Sequence, residues 1–344
     1  LDIDERYMSR CITLAALGKG FTAPNPMVGA VIVYNNHIIG EGYHRKYGSN
    51  HAEVEALNTL SQKDKAKIKD ATIYVNLEPC AHYGNTPPCA DRLIAEGIKR
   101  VVVGSLDNHS LVCGRGIAKL NNAGIENTVG ILEKECILLN THFFTANEKL
   151  RPYITLKWAQ DENGNFARKD YSQHWITSDK TKIYTHKLRS EHQAIWVGTN
   201  TLRYDIPTLN NRYYTGNSPV KVVVDAHESI PIHHPVFESG DIIYISTKEI
   251  TQSNIQNCIT SDFSLSNIMN ILFEKKIISL LVEGGAMLLQ SLINENLWDK
   301  AYRYSGMNTI EHEAIPAPQF PKTSSEIFYF DKDKIEVFLN PCII

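Results

Sequence analysis

The sequence predicts two consecutive α/β domains, and three observations carry that expectation. The chain has 344 residues, more than the roughly 100–200 typical of one domain. Short β-branched runs alternate with segments of helical period in both halves, the pattern of strands layered with helices. The alternation breaks over the polar, mixed stretch 140–150, NTHFFTANEKL, and restarts just after Arg151-Pro152. A boundary is therefore expected near residue 147, with domains at 1–146 and 147–344.

Element by element, VGAVIVYNNHIIGEGY (28–43) reads as two strands around Asn35-Asn36, a dipeptide suited to the positive backbone angles of a tight hairpin. His51 to Leu60 carries helical period. ATIYVNL (71–77) is a strand that stops at Pro79, CADRLIAEGI (89–98) the helix after it, and RVVVGSL (100–106) another buried strand. GRGIAKLNNAGI (114–125) supplies a glycine turn and a helix. In the second half, YITLKWA (153–159), AIWVGTN (194–200), VKVVVDA (220–226), DIIYIS (241–246) and ISLLVEG (278–284) read as strands. Helices are expected at about 179–191 and over AMLLQSLINENL (286–297). Ligands of such sheets gather at the strand ends.

Composition narrows the function. A net charge of -3 without long Lys/Arg runs gives no electrostatic footprint for a nucleic-acid backbone, so a small-molecule substrate is expected and a nucleic-acid partner is not. No apolar run approaches the roughly 18 residues of a membrane span, and LDIDERYMSR lacks a basic-then-apolar leader pattern. No membrane partner and a cytoplasmic location are the corresponding expectations. Seven cysteines, an odd number unevenly placed, do not form a disulfide scaffold. Cys11, Cys113, Cys136, Cys258 and Cys342 stand alone among apolar or small neighbours and read as packing residues.

Cys80 and Cys89 read differently, because His51-Ala52-Glu53 precedes them. One imidazole and two thiolates leave the fourth tetrahedral position of a zinc ion to water, the arrangement of a catalytic centre. Such a water ionises near neutral pH. Glu53, two residues from His51 at a helix start, can face the same cavity without coordinating and shuttle a proton to a leaving amine. The pattern described for zinc deaminases is H-x-E followed by P-C-x-x-C, whereas here eight residues lie between the two cysteines. A structural zinc that also uses His82 is the competing reading.

NHAEVEAL, LEPCAHYGNTPPCADRLI and the upstream PNPMVGAVIV resemble the deaminase half of the bifunctional deaminase/reductase family of riboflavin biosynthesis, whose cysteines share this longer spacing. The resemblance spans about residues 5–130 and implies a cytidine-deaminase-like, three-layer α/β/α fold. It implies metal ligands at His51, Cys80 and Cys89, the proton shuttle at Glu53, and pyrimidine contacts at Asn25, His44 and His82. One departure is Asp107-Asn108-His109-Ser110, where the family usually carries a DPNP-like motif.

No G-x-G-x-x-G follows a strand in the second half. Val282-Glu283-Gly284-Gly285-Ala286 lies between a buried strand and a helix, where small residues let a phosphate reach free backbone N–H groups, although an ordinary strand-to-helix turn has the same form. The series RPYITLKWA, WITSD, HKLRSEHQAIWVGTNTLRYDIPTLNNR and LLVEGGAMLL resembles the reductase half of the same family over about residues 150–298. That resemblance implies a dihydrofolate-reductase-like α/β fold and NADPH as cofactor. NADPH contacts then fall on Ala159, Trp175, Thr201, Asp205, Gly285 and Ala286, with Lys157 near the nicotinamide ring. Sugar-phosphate contacts fall on Arg189, Leu209 and Arg212, with Glu283 beside the substrate, and paired guanidinium donors suit a phosphate. Departures stand at Asp161-Glu162-Asn163-Gly164, for the family's Ser-Leu-Asp-Gly, and at Asp205-Ile206-Pro207; beyond about residue 300 the similarity fades.

Together these imply zinc-dependent hydrolysis of the 2-amino group of a diaminopyrimidinone ribosyl 5'-phosphate, then NADPH-dependent reduction of its ribosyl group to ribityl. Family members commonly form dimers or larger assemblies, so a homo-oligomer is implied without a stoichiometry. A tRNA or nucleoside deaminase would need a basic groove and normally the shorter cysteine spacing. A non-enzymatic, zinc-stabilised binding module would unfold on metal removal.

Overall fold

In a computed structural model describing residues 2–83, 87–108, 113–311, 313–320 and 323–340, the chain divides into two units, Leu1–Lys149 and Leu150–Ile344. The first comprises α1 (Ile3–Ala16), β1 (Gly29–Tyr34), β2 (His37–Tyr43), α2 (Ala52–Asn58), α3 (Gln62–Lys65), β3 (Thr72–Leu77), α4 (Cys89–Glu96), β4 (Arg100–Ser105), α5 (Arg115–Asn122), β5 (Glu126–Val129), α6 (Glu133–Leu139) and α7 (Thr141–Lys149). The β1–β2 turn places Asn35 and Asn36 at φ 48° and 62°, as a two-residue hairpin of this sequence requires.

The sheet order is β2-β1-β3-β4-β5, with β3, β4 and β5 parallel and β1 antiparallel to both neighbours. Strand period 2 sorts the side chains onto two faces. Ala30, Ile32, Ile73, Val75, Val101 and Val103 pack with residues of α2, α4 and α5. Val31, Val33, Tyr74 and Val102 pack with α1 and with Cys136 of α6. Three layers, α/β/α, result. The segment read as a polar break over 140–150 is corrected: most of it is helix α7, which buries Thr145 and Ala146. Its polar residues are those of a half-exposed helix rather than of a linker.

The second unit comprises β6 (Tyr153–Asp161), β7 (Asn165–Arg168), α8 (Asp179–Glu191), β8 (Ala194–Trp196), α9 (Thr199–Asp205), β9 (Val220–Asp225), β10 (Ile242–Ser246), β11 (Ile255–Ile259), α10 (Leu265–Glu274), β12 (Ser279–Val282), α11 (Ala286–Asn294), β13 (Lys300–Gly306), β14 (Ala314–Pro316), β15 (Glu326–Phe330) and β16 (Asp333–Leu339). Its large sheet runs β11-β10-β9-β8-β12-β6-β13-β16-β15. The strands from β11 to β13 are mutually parallel, and β16 and β15 close the edge in antiparallel pairing. The residues beyond 300, where the family pattern fades, thus complete this sheet. Ile268 and Leu272 of α10 and Leu289 and Leu292 of α11 cover one face. Leu188 of α8 and Leu202 of α9 cover the other.

Parallel strands bring the carboxyl ends of β8, β12, β6 and β13 to one edge of the sheet, where ligands of open α/β sheets bind. The opposite edge is held by Arg151, which forks onto the fully buried Asp299 while Asp299 also accepts the Ile154 N–H. Removing one partner of such a buried pair costs about 3–5 kcal/mol.

Candidate active sites

The hairpin, α2 and the β3 end build the first site. His51 is the N-cap of α2, so its ring lies at the helix entrance. Cys80 follows the β3 end and Cys89 is the first residue of α4. His51 Nδ1 lies 3.6 Å from Cys80 Sγ and 3.3 Å from Cys89 Sγ, and one donor atom from each residue falls within 4.8 Å of the others. The Cys89 backbone N–H donates to Cys80 Sγ at 3.2 Å. The Cys89 thiol and that N–H, with His51 beside them, hold the Cys80 thiol below its ordinary value, the environment of a thiolate facing a helix start.

Glu53, 3 % exposed, lies in the first turn of α2, and burial raises its carboxyl above the usual range. His44 is buried, with its ring centroid 5.6 Å from that of His51. Its Nδ1 faces the Asn50 carbonyl at 2.9 Å and must carry the proton there, so Nε2 accepts from Asn25 Nδ2 at 3.2 Å. The loop bearing Asn25 is fixed by Asn140, which accepts the Met27 N–H and donates to the Met27 carbonyl. His82 is exposed and stands outside the three-donor group, which removes the four-ligand arrangement.

Sequence reasoning gave no role to Glu78, two residues before Cys80. Its buried carboxylate accepts the N–H groups of Asp107, Gly114, Gly116 and Ile117, so it clamps the loop after β4 and caps α5. Gly116 is required there, because a Cβ would fall 2.1 Å from the Pro79 carbonyl oxygen. Of the departing segment 107–110, Asp107 and Asn108 are placed, Asn108 donating to the Phe144 carbonyl. His109 and Ser110 lie outside the described residues. The available signal was a carboxylate between an apolar strand and a proline.

The second site occupies the carboxyl edge of the large sheet. Glu283 donates its N–H to the Trp196 carbonyl, and Gly198 N–H donates to the Gly284 carbonyl, which ties the β8 and β12 ends together. Arg189 of α8 forks onto Glu283, Nε to Oε1 and Nη2 to Oε2, both at 2.8 Å. Burial alone would raise the Glu283 carboxyl, but the charge of Arg189 and then its hydrogen bonds outweigh burial and hold it low. Lys157 of β6 enters the same group; burial lowers its ammonium while Glu283 opposes that shift, and its Nζ lies 4.7 Å from the Tyr304 ring centroid.

Arg189 also donates Nη1 to the Asn210 carbonyl at 2.9 Å, so three of its five N–H groups are committed within the protein. Arg212 is exposed and donates Nη1 to Thr208 Oγ1 and Asn210 Oδ1. The two arginines therefore meet on Asn210, one at its carbonyl and one at its side chain, and the neighbouring Leu209 is buried. His186, one turn before Arg189, was also missed by sequence reasoning. Its Nδ1 accepts the Arg212 N–H at 3.0 Å, and burial, then Arg189 and Arg212, depress its imidazole to about 4.

Gly285 is the N-cap of α11 and Ala286 its first residue. Thr201 of α9 stands against this turn, since a Cβ on Gly285 would lie 3.1 Å from Thr201 Oγ1. Ala159 is half-buried on β6, whereas Trp175 and Asp205 are exposed, with Lys182 Nζ 3.7 Å from the Trp175 ring centroid. Asp161, in the second departing segment, is buried and accepts from Asn163, Asn165 and Ile310, a turn-holding role.

Both units have counterparts among known proteins. Residues 1–105 match the cytidine and deoxycytidylate deaminase zinc-binding region, and residues 152–306 match the RibD C-terminal domain. The riboflavin biosynthesis protein RibD of Aquifex aeolicus is 44 % identical over 308 residues, covering 87 % of this chain and 85 % of that protein. The chain belongs to the RibD family. RibD of Escherichia coli is 34 % identical over 322 residues, covering 88 % of this chain and 87 % of the relative. A Thermotoga maritima diaminohydroxyphosphoribosylaminopyrimidine deaminase/5-amino-6-(5-phosphoribosylamino)uracil reductase superposes with TM-score 0.85 at 32 % identity, covering 97 % of this chain and 98 % of that one. Acinetobacter baumannii RibD gives 0.88 at 30 %, with 98 % of each chain covered.

This RibD-family chain is a bifunctional deaminase and reductase of riboflavin biosynthesis, with a cytidine-deaminase-like first unit and a RibD reductase second unit. The deaminase family is a zinc-binding one, and the His51, Cys80 and Cys89 donor set fits zinc: one nitrogen and two sulfurs, closely grouped, with a fourth position open. The reductase family implies a nicotinamide cofactor, and the side-chain-free turn at Gly284-Gly285 before α11 suits a dinucleotide phosphate. Among the described residues, no helix is long and apolar enough to cross a membrane.

Proposed function

We propose that residues 1–146 hydrolyse the 2-amino group of a diaminopyrimidinone ribosyl 5'-phosphate, releasing ammonia, and that residues 147–344 reduce the opened ribosyl group to ribityl with NADPH. The observation that supports this most is the donor set of His51, Cys80 and Cys89 within 4.8 Å beside the buried Glu53. Zinc held by these three residues supplies Lewis-acid activation of water. Glu53, poised by burial above the ordinary carboxylate range, takes the proton of the attacking water and returns it to the leaving amine. Asn25, His44 and His82 contact the pyrimidine, His44 in the tautomer that its Asn50 contact selects.

In the second unit NADPH supplies a hydride. When bound, its phosphates would be held by the turn at Gly285 and Ala286, with Ala159, Trp175, Thr201 and Asp205 as further contacts. Lys157 stands near the nicotinamide ring, Glu283 lies beside the reacting sugar, and Leu209 and Arg212 border its phosphate. Arg189 serves that phosphate chiefly by fixing Glu283 and Asn210, because Glu283 neutralises its charge. The testing experiment is incubation with the diaminopyrimidinone phosphate, with and without NADPH, followed by product mass. Replacement of the amino group by oxygen, with water taken up and ammonia released, is the expected result without NADPH, and a further gain of two hydrogens with it; an unchanged substrate in both arms overturns the reading.

A further inference from the structure

The segment between β7 and α8 makes contacts that none of the assigned roles explains. Tyr171, at φ 58°, lies flat on Tyr204 of α9 with ring centroids 4.1 Å apart and planes 10° from parallel, although both side chains are more than two-fifths exposed. A few residues later the segment is pinned to the far side of the sheet edge. Asn308, just after β13, donates Nδ2 to the Trp175 carbonyl at 2.8 Å, and His174 Nε2 faces the Asn308 carbonyl at 3.3 Å. Gly306 packs so closely on Ile176 that a Cβ would lie 2.1 Å from its carbonyl oxygen.

Topology fixes what lies between these anchors. Tyr204 belongs to the helix that leaves β8, Asn308 follows β13, and the sheet order between them is β8-β12-β6-β13. The segment therefore links the β8 side of this edge to its β13 side, and the strands between them, β12 and β6, lead to Glu283 and carry Lys157. Phe166 of β7, which leads into the segment, also lies at the β12 end, its ring tip 3.2 Å from where a Cβ on Gly284 would stand.

We propose that residues 171–176 form a strap over the dinucleotide cleft and that the Tyr171–Tyr204 stack is its clasp, making both tyrosines positioning residues for cofactor binding. This rests on reading the second unit as a dinucleotide-dependent reductase. The stack is the strap's connection to the β8 side, it is built from ring faces rather than hydroxyls, and its exposure lets it part without opening the core. Closing the clasp sets Trp175 over the cleft; parting it frees the cofactor to exchange.

The test compares Tyr204→Ala, Tyr171→Ala and Tyr204→Phe in the full chain. NADPH dissociation constants, KM and kcat for reduction, and the rate of trypsin cleavage after Arg168 or Lys169 are measured. Either alanine variant is expected to raise the NADPH dissociation constant and KM about two- to ten-fold, leave kcat unchanged or higher, and accelerate cleavage. Tyr204→Phe is expected to match the wild type. Alanine variants with wild-type NADPH affinity and cleavage, or a phenylalanine variant as impaired as alanine, overturn the clasp alone. A wild-type protein that binds no dinucleotide overturns the reductase reading and the proposal with it.

Discussion

The two sites are built on opposite plans. In the first unit the metal donors and Glu53 lie within the stretch from His51 to Cys89, and each occupies a helix start or the loop after a strand. In the second, the proposed residues run from Lys157 to Ala286 and come from strand ends, helix faces and a loop whose order is set by the sheet. Metal chemistry demands particular atoms at short, fixed separations, so it leaves a compact signature. A dinucleotide and a sugar phosphate extend over many ångströms, and backbone groups can meet them, so the second site leaves a diffuse one.

The sharpest way to break this contrast is Cys80→Ser. It should abolish zinc binding and deamination together, while NADPH-dependent reduction of the already deaminated substrate continues; stoichiometric zinc with full deaminase activity in that variant would refute the donor set. Glu53→Gln should next lose about 10²–10⁴-fold in deamination with zinc content intact, and zinc loss on this substitution would make Glu53 a structural support instead. In the diffuse site, single substitutions should cost less. Arg212→Ala is expected to weaken reduction of the phosphorylated substrate about ten- to more than a hundred-fold, the worth of a charge-assisted contact. It should not affect the deaminase rate or NADPH affinity. Equal losses on a dephosphorylated substrate would end the assignment of Arg212 to the phosphate.

The smallest effect is on stability. His186 is neutral in the fold because its imidazole is depressed to about 4, whereas the unfolded chain binds its proton near the ordinary value of 6.5. Between those values the unfolded state carries more protons, so this contribution is fully present above about pH 6.5 and is lost as pH falls toward about 4. Denaturant titrations of the wild type and His186→Asn should converge as pH drops through that window. Parallel curves would show that His186 holds the Arg212 loop without titrating.

Much of the fold was written in local pattern. Asn35-Asn36 announced a hairpin because few dipeptides accept two positive φ angles, and the β-branched runs announced buried strands layered with helices because both their faces are covered. The helix α7 was not legible, because a half-exposed helix with mixed polarity resembles a linker until its partner is known. His51, Glu53, Cys80 and Cys89 were legible as a metal-centred group since coordination restricts residue type as well as spacing. Glu78 was not: four backbone N–H groups from a loop and a helix define its role, and backbone donors have no sequence signature. The same holds for Arg189, which looks like a free phosphate reader in the sequence and becomes a buried partner of Glu283 in the fold. It holds too for Tyr171 and Tyr204, which only the sheet order brings ring to ring. By itself the sequence determined the chemistry that needs particular atoms at short range; the tertiary structure decided which charges are neutralised, which loops are clamped and which exposed rings stack, because those depend on neighbours distant along the chain.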